Sequence, residues 1–299
     1  MGHAVNTAAS WAKLGELSVL RFAGADALTF LQGQLSNDIG RVAREGTLLN
    51  ALNTPQGRVV ALLRLAWRPE GLIAILPASL VTPVIERLKR YVLRSRVTLI
   101  DESARLEVAG LHDASIPASA DLAPDDVSVH PLPGPVARHL LVAPSATLER
   151  VAAKFGWQAM SPERWRLMSI ESGDPQIYPQ TSDLFVAQML NLDLIDGVSF
   201  TKGCYTGQEI IARTQHRGRI KRRMLRYRLR ACAALTPGDN VVVDRRTARV
   251  VEFAARDAVT SEMLAVVALE ESTRADQNRT VPELSAERMP LPYSIPDLD

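Results

Sequence analysis

Cysteine and long apolar runs are scarce in this sequence of 299 residues, and each shortage excludes a class of protein. The two cysteines, Cys204 and Cys232, allow at most one bridge, which excludes a small domain held together by several disulfides. Apolar stretches such as residues 59–67 are interrupted by charge and fall well short of the roughly 20 residues that a membrane helix needs. No charged segment leads into an apolar core near the start, so we expect a cytoplasmic protein without a membrane span, with both cysteines as thiols.

Familiar catalytic and metal-binding motifs are also missing. The sequence contains no Gly-x-Ser-x-Gly elbow, no phosphate-binding P-loop and no dinucleotide fingerprint. The histidine nearest to Cys204 is His216, and no second pair of ligands accompanies them at metal-binding spacing. We therefore expect no resident metal site, and no catalytic residue can be assigned from such motifs.

The composition is that of an ordinary globular protein, with 46% hydrophobic and 23% charged residues. Strand-like and helix-like segments alternate from residue 17 to residue 100, and the strands come as hairpins, which is typical of an α+β layer. The pattern predicts a first α+β subdomain over residues 1–110, a linker or surface loop over 111–135, a second α+β subdomain over 136–223 and a small β-barrel over 224–299.

Three helices can be placed from apolar spacing and from residues that favour helix starts. Apolar spacing predicts a helix over residues 26–35. Ser79 is the expected N-cap of a second helix that runs to about residue 93. Ser161, followed by a proline, is the expected N-cap of a third over residues 162–171.

The most unusual stretch of the chain is Lys202-Gly203-Cys204-Tyr205-Thr206-Gly207-Gln208-Glu209. Two glycines around a thiol and an aromatic ring predict a tight turn that approaches a neighbour closely, followed by a helix that starts near Gly207. Lys202 and the helix N-terminus would favour the thiolate form of Cys204, which would make it reactive or a ligand. The alternative is that Cys204 is a small buried apolar residue, the commoner fate of a free cysteine. Cys232 lies among alanines and is expected to serve packing.

These eight residues resemble the signature of the YgfZ-type folate-binding proteins, relatives of the glycine-cleavage T-protein that include mitochondrial iron–sulfur cluster assembly factors. The stretches that also resemble this family are Gly24-Ala25-Asp26, Leu31-Gln32-Gly33-Gln34-Leu35-Ser36-Asn37-Asp38, Ile170-Glu171-Ser172-Gly173-Asp174-Pro175 and Leu291-Pro292-Tyr293-Ser294. The resemblance covers nearly the whole chain. It implies a T-protein-like α+β fold, in which two ferredoxin-like subdomains and a C-terminal β-barrel surround a central channel for tetrahydrofolate.

The resemblance also implies ligand-binding residues. Glu171 matches the family position whose carboxylate faces the pterin ring, where it can accept paired hydrogen bonds from ring N–H and amino groups. Trp165 matches an aromatic position of the folate site and could stack on the flat rings. Tyr205 of the signature completes the expected folate site. From the residues alone, a solvated helix end for Glu171 and core packing for Trp165 remain the alternatives.

Two positions depart from the family pattern. The bacterial family can carry a second tryptophan before the Gly-Ala-Asp stretch, whereas this chain has Leu17. T-proteins place adjacent acidic residues after the position of Gly57 for aminomethyl transfer, and here the sequence reads Arg58-Val59-Val60-Ala61-Leu62. We therefore expect the T-protein reaction to be lost and the folate pocket to be kept, with Asp38 and Glu45 as acids that could substitute.

The formal net charge of +2 conceals one basic stretch, since the rest of the chain has 26 basic against 33 acidic residues and thus a charge of −7. Nine basic side chains and no acidic ones lie between residues 213 and 230: Arg213, Arg217, Arg219, Lys221, Arg222, Arg223, Arg226, Arg228 and Arg230. Alternation over residues 225–230 fits a half-buried strand with its arginines toward solvent. The functional alternative is an anion surface, formed above all by Arg213, Arg226, Arg228 and Arg230, for a polyglutamyl folate tail, RNA or an acidic partner. Tyr227 is the single aromatic residue there, so base stacking has little support.

The sequence thus predicts a tetrahydrofolate-binding accessory protein that supports the maintenance or assembly of iron–sulfur enzymes and thereby tRNA modification, with Cys204 as its functional thiol. The expected partners are folate and iron–sulfur enzymes or assembly proteins. Two alternatives stay open. One is a folate-dependent one-carbon transferase of the aminomethyl type, against which the missing acidic pair argues. The other is a module that binds tRNA directly through the basic stretch.

Overall fold

The computed structural model describes residues 9–112, 122, 126–217, 220–230, 234–269 and 282–296. Within these residues the chain forms three five-stranded sheets and six α-helices, which confirms the α+β class. None of the described helices is long and apolar enough to cross a membrane. Cys232, expected to serve packing, lies outside the described residues.

The first sheet is built from the predicted hairpins. Its strands are β2 (Leu17–Ala23), β3 (Thr47–Asn53), β4 (Val59–Arg68), β5 (Gly71–Pro77) and β6 (Thr98–Asp101). They are antiparallel neighbours in the order β3-β4-β5-β2-β6. The helices of this part of the chain are α1 (Ala27–Gln32), α2 (Val42–Glu45) and α3 (Ala78–Val92). Apolar side chains from these helices and strands share one buried core.

Two of the predicted helices differ in their ends. α1 stops at Gln32 instead of residue 35, because the chain turns at Gly33 and Leu35 then forms a bridge to Leu52 on β3. α3 begins at Ala78, one residue before its predicted N-cap, so Ser79 lies inside the helix.

The second sheet contains strands that the sequence did not assign to it. Its strands are β1 (Ser10–Lys13), β7 (Glu107–His112), β8 (Ser128–Leu132), β9 (Arg138–Ala143) and β10 (Gln158–Ala159). They are arranged in the order β10-β1-β7-β9-β8. β1 precedes the strands of the first sheet in the chain, but it pairs with β7 in the second sheet. β8 lies within the segment predicted as a linker, because its backbone groups pair with β9.

Two helices follow β9 in the chain. They are α4 (Ser145–Phe155) and α5 (Pro162–Glu171). The N-cap of α5 is Ser161, as predicted, and its side chain accepts a hydrogen bond from the backbone N–H of Arg164 at 3.1 Å. Trp165 on α5 packs into the core beneath the second sheet.

The third sheet follows α6 (Gln208–Arg217). Its strands are β11 (Arg222–Arg230), β12 (Asn240–Val243), β13 (Arg246–Ala255), β14 (Thr260–Ala268) and β15 (Ala286–Met289). They are antiparallel in the order β12-β13-β14-β11-β15, and β13 carries a bulge between Val250 and Glu252. Closure of this sheet into a barrel, and the domain boundaries given above, stay predictions.

Candidate functional site

The signature loop at residues 202–209 is fixed to the turn between β3 and β4. Gly207 has φ +84°, and a Cβ on it would lie 2.5 Å from the carbonyl oxygen of Thr54. Only glycine permits both that backbone conformation and that approach. A Cβ on Gly203, by contrast, would meet open space. The predicted close approach is therefore correct for Gly207 and wrong for Gly203.

Lys202 fastens the loop to the end of α1. Its ammonium group donates hydrogen bonds to the carbonyl oxygens of Gln32, Leu35 and Asn37, at 2.7, 2.8 and 2.6 Å. Burial lowers the pKa of Lys202 to about 8. An ammonium group has three donors, and here all three are used. The expected support of Cys204 by Lys202 stays a prediction.

Cys204 and Tyr205 have opposite surroundings. Cys204 is an exposed free thiol, so the alternative that it is a buried apolar residue is wrong. Tyr205 is buried in the first core, and burial raises the pKa of its hydroxyl to about 12. Lys202 Nζ lies 5.1 Å from the Tyr205 ring centroid. Gln208 Oε1 accepts a hydrogen bond from the Tyr205 backbone N–H at 3.3 Å, whereas Glu209 is exposed. The loop thus presents one thiol on a well-anchored frame.

The main cavity among the described residues has a volume of about 680 Å³ and lies between the first and second sheets and the segment that follows β15. Its walls come from the strands β3, β4 and β8. The remaining wall residues lie in the chain segments that follow β8, α5 and β15 and in the segment after residue 190. The lining residues are Glu45, Thr47, Leu48, Leu49, Arg64, Pro131, Leu132, Pro133, Gly134, Pro135, Ser172, Gly173, Asp174, Leu194, Ile195, Asp196, Pro292 and Tyr293. Volumes between about 300 and 1,000 Å³ are usual for small-molecule sites.

A charged cluster borders the main cavity. The Asp174 carboxylate accepts hydrogen bonds from Arg64, through Oδ1, and from Arg138, through Oδ2 at 3.3 Å. Arg138 is completely buried and also donates to Ser169 Oγ at 2.8 Å. Burial lowers the pKa of Arg138, and Asp174 opposes that shift. This cluster of two guanidinium groups and one carboxylate carries a net positive charge, whereas the other charged residues on the cavity wall, Glu45 and Asp196, are acidic.

The inner cavity, a second space of about 50 Å³, lies beyond this cluster. Arg64, Leu132 and Asp174 line both cavities, and Trp165 lines the inner one. The Trp165 ring packs against Gly110 of β7, and the Arg138 guanidinium lies 5.6 Å from its centroid. Trp165 therefore combines core packing with a place on a cavity wall.

Glu171 lies outside the walls of both cavities. Its carboxylate accepts a hydrogen bond from Arg256 at 2.8 Å and lies 3.7 Å from Arg226. α5 ends at Glu171, and Gly173 with φ +62° then turns the chain so that Asp174 faces the cavities. The carboxylate in this segment that reaches the main cavity is thus Asp174. Tyr205 is likewise absent from both walls, so the predicted folate set is not assembled around one space.

Three arginines of the basic stretch are paired with acidic residues. Arg226 and Arg228 both donate to the fully buried carboxylate of Glu262 on β14, at 2.7 and 3.0 Å. Arg223 forms a buried ion pair with Asp193 at 2.6 Å. Of the four residues predicted to form an anion surface, Arg226 and Arg228 are thus engaged by Glu262. The exposed basic residues of the described stretch are Arg213, Lys221, Arg222 and Arg230.

The acids considered as substitutes for the T-protein pair have different roles. Glu45 lines the main cavity, and hydrogen bonds from Arg41 and Arg44 lower the pKa of its carboxyl group. Asp38 caps the short 3₁₀ helix Ile39–Arg41 by accepting a hydrogen bond from the N–H of Gly40. The described residues contain no cluster of three or more His, Cys, Asp or Glu side chains that could hold a metal ion.

The fold and cavity define the class of protein to which the chain is similar. No protein-family model matches the sequence. The structure resembles the glycine cleavage system aminomethyltransferase T from Bartonella henselae, with a TM-score of 0.63, 12% sequence identity and coverage of 88% of this chain and 79% of that chain. At this identity the likeness shows the fold alone. The T-protein-like architecture expected from the signature is confirmed.

Sequence relatives identify the family. The chain is 34% identical over 223 residues to the tRNA-modifying protein YgfZ of Enterobacter sp. (strain 638). The aligned region covers 70% of this chain and 68% of the relative. It is 30% identical over 306 residues to the tRNA-modifying protein YgfZ of Serratia proteamaculans (strain 568), covering 94% and 92%. The chain belongs to the YgfZ family.

Proposed function

We propose that this protein binds tetrahydrofolate in the main cavity and supports tRNA modification in the cytoplasm by acting on iron–sulfur enzymes or their assembly proteins. The observation that carries the folate part is the main cavity, with its volume of about 680 Å³ and the Arg64–Asp174–Arg138 cluster at its border. Apolar walls suit flat rings, and guanidinium groups suit the carboxylates of the glutamate end. The name of the relatives, tRNA-modifying protein, supports the second part.

Unpaired polar atoms on the cavity wall fit such a ligand. Thr47 Oγ1 and Ser172 Oγ are buried, line the main cavity and have no hydrogen-bond partner among the described residues. A buried hydroxyl without a partner costs about 1–3 kcal/mol, so a polar ligand that bonds to it is favoured. Arg64, Thr47, Ser172 and Tyr293 would hold the folate. Bound tetrahydrofolate would supply a carrier for one-carbon groups.

Cys204 is proposed as the functional thiol, separate from the folate site. It is exposed, and it is absent from the walls of the main cavity. Anchoring of its loop by Lys202 and Gly207 keeps the thiol in place for a partner protein. An iron–sulfur enzyme or an assembly protein is the partner that this proposal names.

A folate-dependent one-carbon transferase is the second candidate, because Glu45 brings an ionised carboxylate to the wall of the main cavity. Its ion pair with Arg41, at 2.8 Å, limits its use in catalysis. Turnover of an aminomethyl donor with tetrahydrofolate, lost in Glu45→Gln, would favour this candidate. Direct tRNA binding would rest on the exposed basic residues alone, and it predicts an affinity that falls steeply with salt.

The folate proposal is tested by titration with (6S)-5-formyltetrahydrofolate, followed by isothermal calorimetry and by tryptophan fluorescence. We expect saturable binding with one ligand per chain, and a weaker fluorescence change in Trp165→Phe. Replacing Arg64 by Met should weaken binding by about tenfold, since one charge-assisted hydrogen bond contributes about 1.5–3 kcal/mol. Arg58→Met is a matched control, because the Arg58 side chain bonds to the Leu184 carbonyl oxygen and does not line the main cavity. The absence of binding by the unchanged protein would overturn the proposal.

The role of Cys204 is tested by complementation of a strain that lacks its own member of this family. We expect Cys204→Ser to lose complementation and Cys232→Ser, the matched control, to keep it. Equal folate affinity in both variants would separate the thiol from the ligand site. Full complementation by Cys204→Ser would contradict the proposed thiol function.

A further inference from the structure

The end of α3 carries a dense group of basic side chains that the proposed function does not use. We call residues 87–96, which run from the last turns of α3 into the turn that follows, the basic tip. This segment contains five basic residues and no acidic one: Arg87, Lys89, Arg90, Arg94 and Arg96. All of them are exposed except Arg87, which is partly buried. Such a concentration of one charge favours a polyanion as partner.

The charge of the basic tip is not neutralised within the described fold. Four of its side chains form no ion pair with any residue that the structure describes: Arg87, Lys89, Arg90 and Arg94. Arg96 has one partner, Asp26, with Nε and Oδ2 3.5 Å apart. Counting Asp26 and Glu86, which directly precedes the tip, against the five basic residues leaves a local charge of +3. The helix dipole favours basic residues in the last turn of α3, whereas two of the five lie beyond the helix end.

The turn within the basic tip is held in one shape. The carbonyl oxygen of Arg96 accepts a hydrogen bond from the Asp26 N–H at 3.3 Å, and the Arg96 N–H donates to the Asp26 carboxylate at 2.7 Å. A Cβ on Gly24 would lie 2.2 Å from the same carbonyl oxygen, so only glycine permits this approach. Val92 and Val97, on either side of the turn, pack against the first core. A fixed backbone under the cations lowers the entropy cost of binding.

Two exposed side chains with apolar surface lie among these cations. Tyr91 is 40% exposed and Leu93 is 88% exposed. Leu93 also has φ +39°, a backbone conformation that is rare for a bulky residue and is typical of functional turns. Arg90 and Tyr91 lie three and four residues after Arg87, so the three side chains share one side of α3. The basic tip thus combines an exposed ring with guanidinium groups on both sides of it in sequence.

We propose that the basic tip binds RNA, with its guanidinium groups on the phosphates and an unpaired base stacked on Tyr91. A guanidinium group holds two phosphate oxygens through parallel hydrogen bonds. The regular negative charge of a nucleic acid backbone matches several unpaired cations better than a protein surface of mixed charge does. Unpaired bases are typical of RNA loops, whereas a duplex keeps its bases within the stack. This inference goes beyond the proposed function, because it involves neither folate nor the basic stretch at residues 213–230.

The basic tip lies close to the signature loop. Asp26, which is bonded to Arg96, directly precedes α1, and Lys202 donates to the carbonyl oxygen of Gln32, the last residue of α1. α1 has six residues and is therefore about 9 Å long, at a rise of about 1.5 Å per residue. An RNA bound to the basic tip would thus lie near the loop that carries Cys204.

The inference is tested by fluorescence anisotropy of the full chain with a fluorescein-labelled tRNA transcript. For the unchanged protein we expect saturable binding that weakens about a hundredfold between about 50 and about 200 mM KCl, as about four phosphate contacts require. Arg90→Gln combined with Arg94→Gln should weaken binding at least about tenfold at low salt and reduce the slope of log affinity against log salt by about two. Tyr91→Leu, which removes the ring, should weaken binding by about fivefold.

The matched control is Lys221→Gln combined with Arg222→Gln in the basic stretch. Both side chains are exposed, and this pair of substitutions removes the same formal charge. Its affinity for the transcript should stay within about twofold of that of the unchanged protein. Circular dichroism shows whether each variant is folded, and we expect this for all of them because the substituted side chains are exposed.

Several results would overturn the inference. The absence of RNA binding by the unchanged protein at low salt would do so and would leave the folate proposal untouched. Equal weakening in the two double variants would indicate a nonspecific effect of net charge. Weakening in the Lys221 and Arg222 pair alone would assign RNA to the basic stretch. Unchanged affinity in Tyr91→Leu would contradict the stacked base.

Two competitors distinguish RNA from other acidic partners of the basic tip. Poly-L-glutamate should displace the transcript only weakly, and displacement as effective as that by unlabelled transcript would assign the basic tip to an acidic protein. Vesicles of phosphatidylserine and phosphatidylcholine should bind less tightly than the transcript. Binding to these vesicles without binding to the transcript would assign the basic tip to a membrane surface.

Discussion

Glu262→Gln removes a buried carboxylate that three arginines share in the third sheet. Glu262 is fully buried and lies 2.6 Å from Arg226, 3.0 Å from Arg228 and 2.8 Å from Arg256. Removing one partner from a buried ion pair costs about 3–5 kcal/mol, because the remaining charges stay desolvated. The side chains of Arg228 and Arg256 are 31% and 35% exposed, so water compensates part of the loss. We therefore expect the free energy of unfolding to fall by about 3 kcal/mol.

Urea unfolding followed by circular dichroism measures this change. The matched control is Glu287→Gln on β15, the same substitution at an exposed position directly across from Arg228. We expect the control to change the free energy of unfolding by less than about 0.5 kcal/mol. A loss below about 1 kcal/mol in Glu262→Gln, or one equal to that of the control, would refute the idea that Glu262 stabilises the fold by pairing with Arg226 and Arg228.

Two glycine positions give further predictions. Gly110→Ala should lower the free energy of unfolding by about 1–3 kcal/mol and alter Trp165 fluorescence, because the new Cβ would lie 2.3 Å from the indole ring. The measurement is thermal unfolding. The control is Gly15→Ala, because the space around Gly15 is open. An unchanged melting temperature in Gly110→Ala would contradict this packing. Gly207→Ala should cost about 2 kcal/mol or more and increase proteolysis of the signature loop, since φ +84° and a close backbone contact both exclude a side chain. Gly203→Ala is its control, and equal proteolysis of the two variants would be the contrary result.

Much of the fold could be predicted because its signals are local. Hairpin turns, apolar spacing and the Ser161 cap place the strands of the first sheet and α5 from neighbouring residues alone. The pairing of β1 with β7 and of β8 with β9 could not be predicted in this way. The pairing partners of these strands are determined by packing between distant segments. The sequence of a short apolar stretch does not indicate which strand it pairs with.

The site was predicted less completely, for the same reason. The signature correctly indicated a tight turn with a close approach at Gly207, whereas folate binding by Trp165 stays a prediction. Whether Glu171 or Asp174 faces that cavity depends on how α5 ends, which a carboxylate pattern does not reveal. Glu262 could not be linked to the basic stretch, because it lies on another strand.

The main cavity takes its walls from the first and second sheets and from the segment that follows β15 of the third sheet. A molecule held there would touch segments that are more than two hundred residues apart in sequence, from Thr47 to Tyr293. Its binding energy would then act as a cross-link that the chain itself lacks, and would favour unfolding of the three sheets in a single transition. Binding of the ligand would therefore increase the cooperativity of unfolding of the whole molecule, and this effect would extend to positions far from any contact with the ligand.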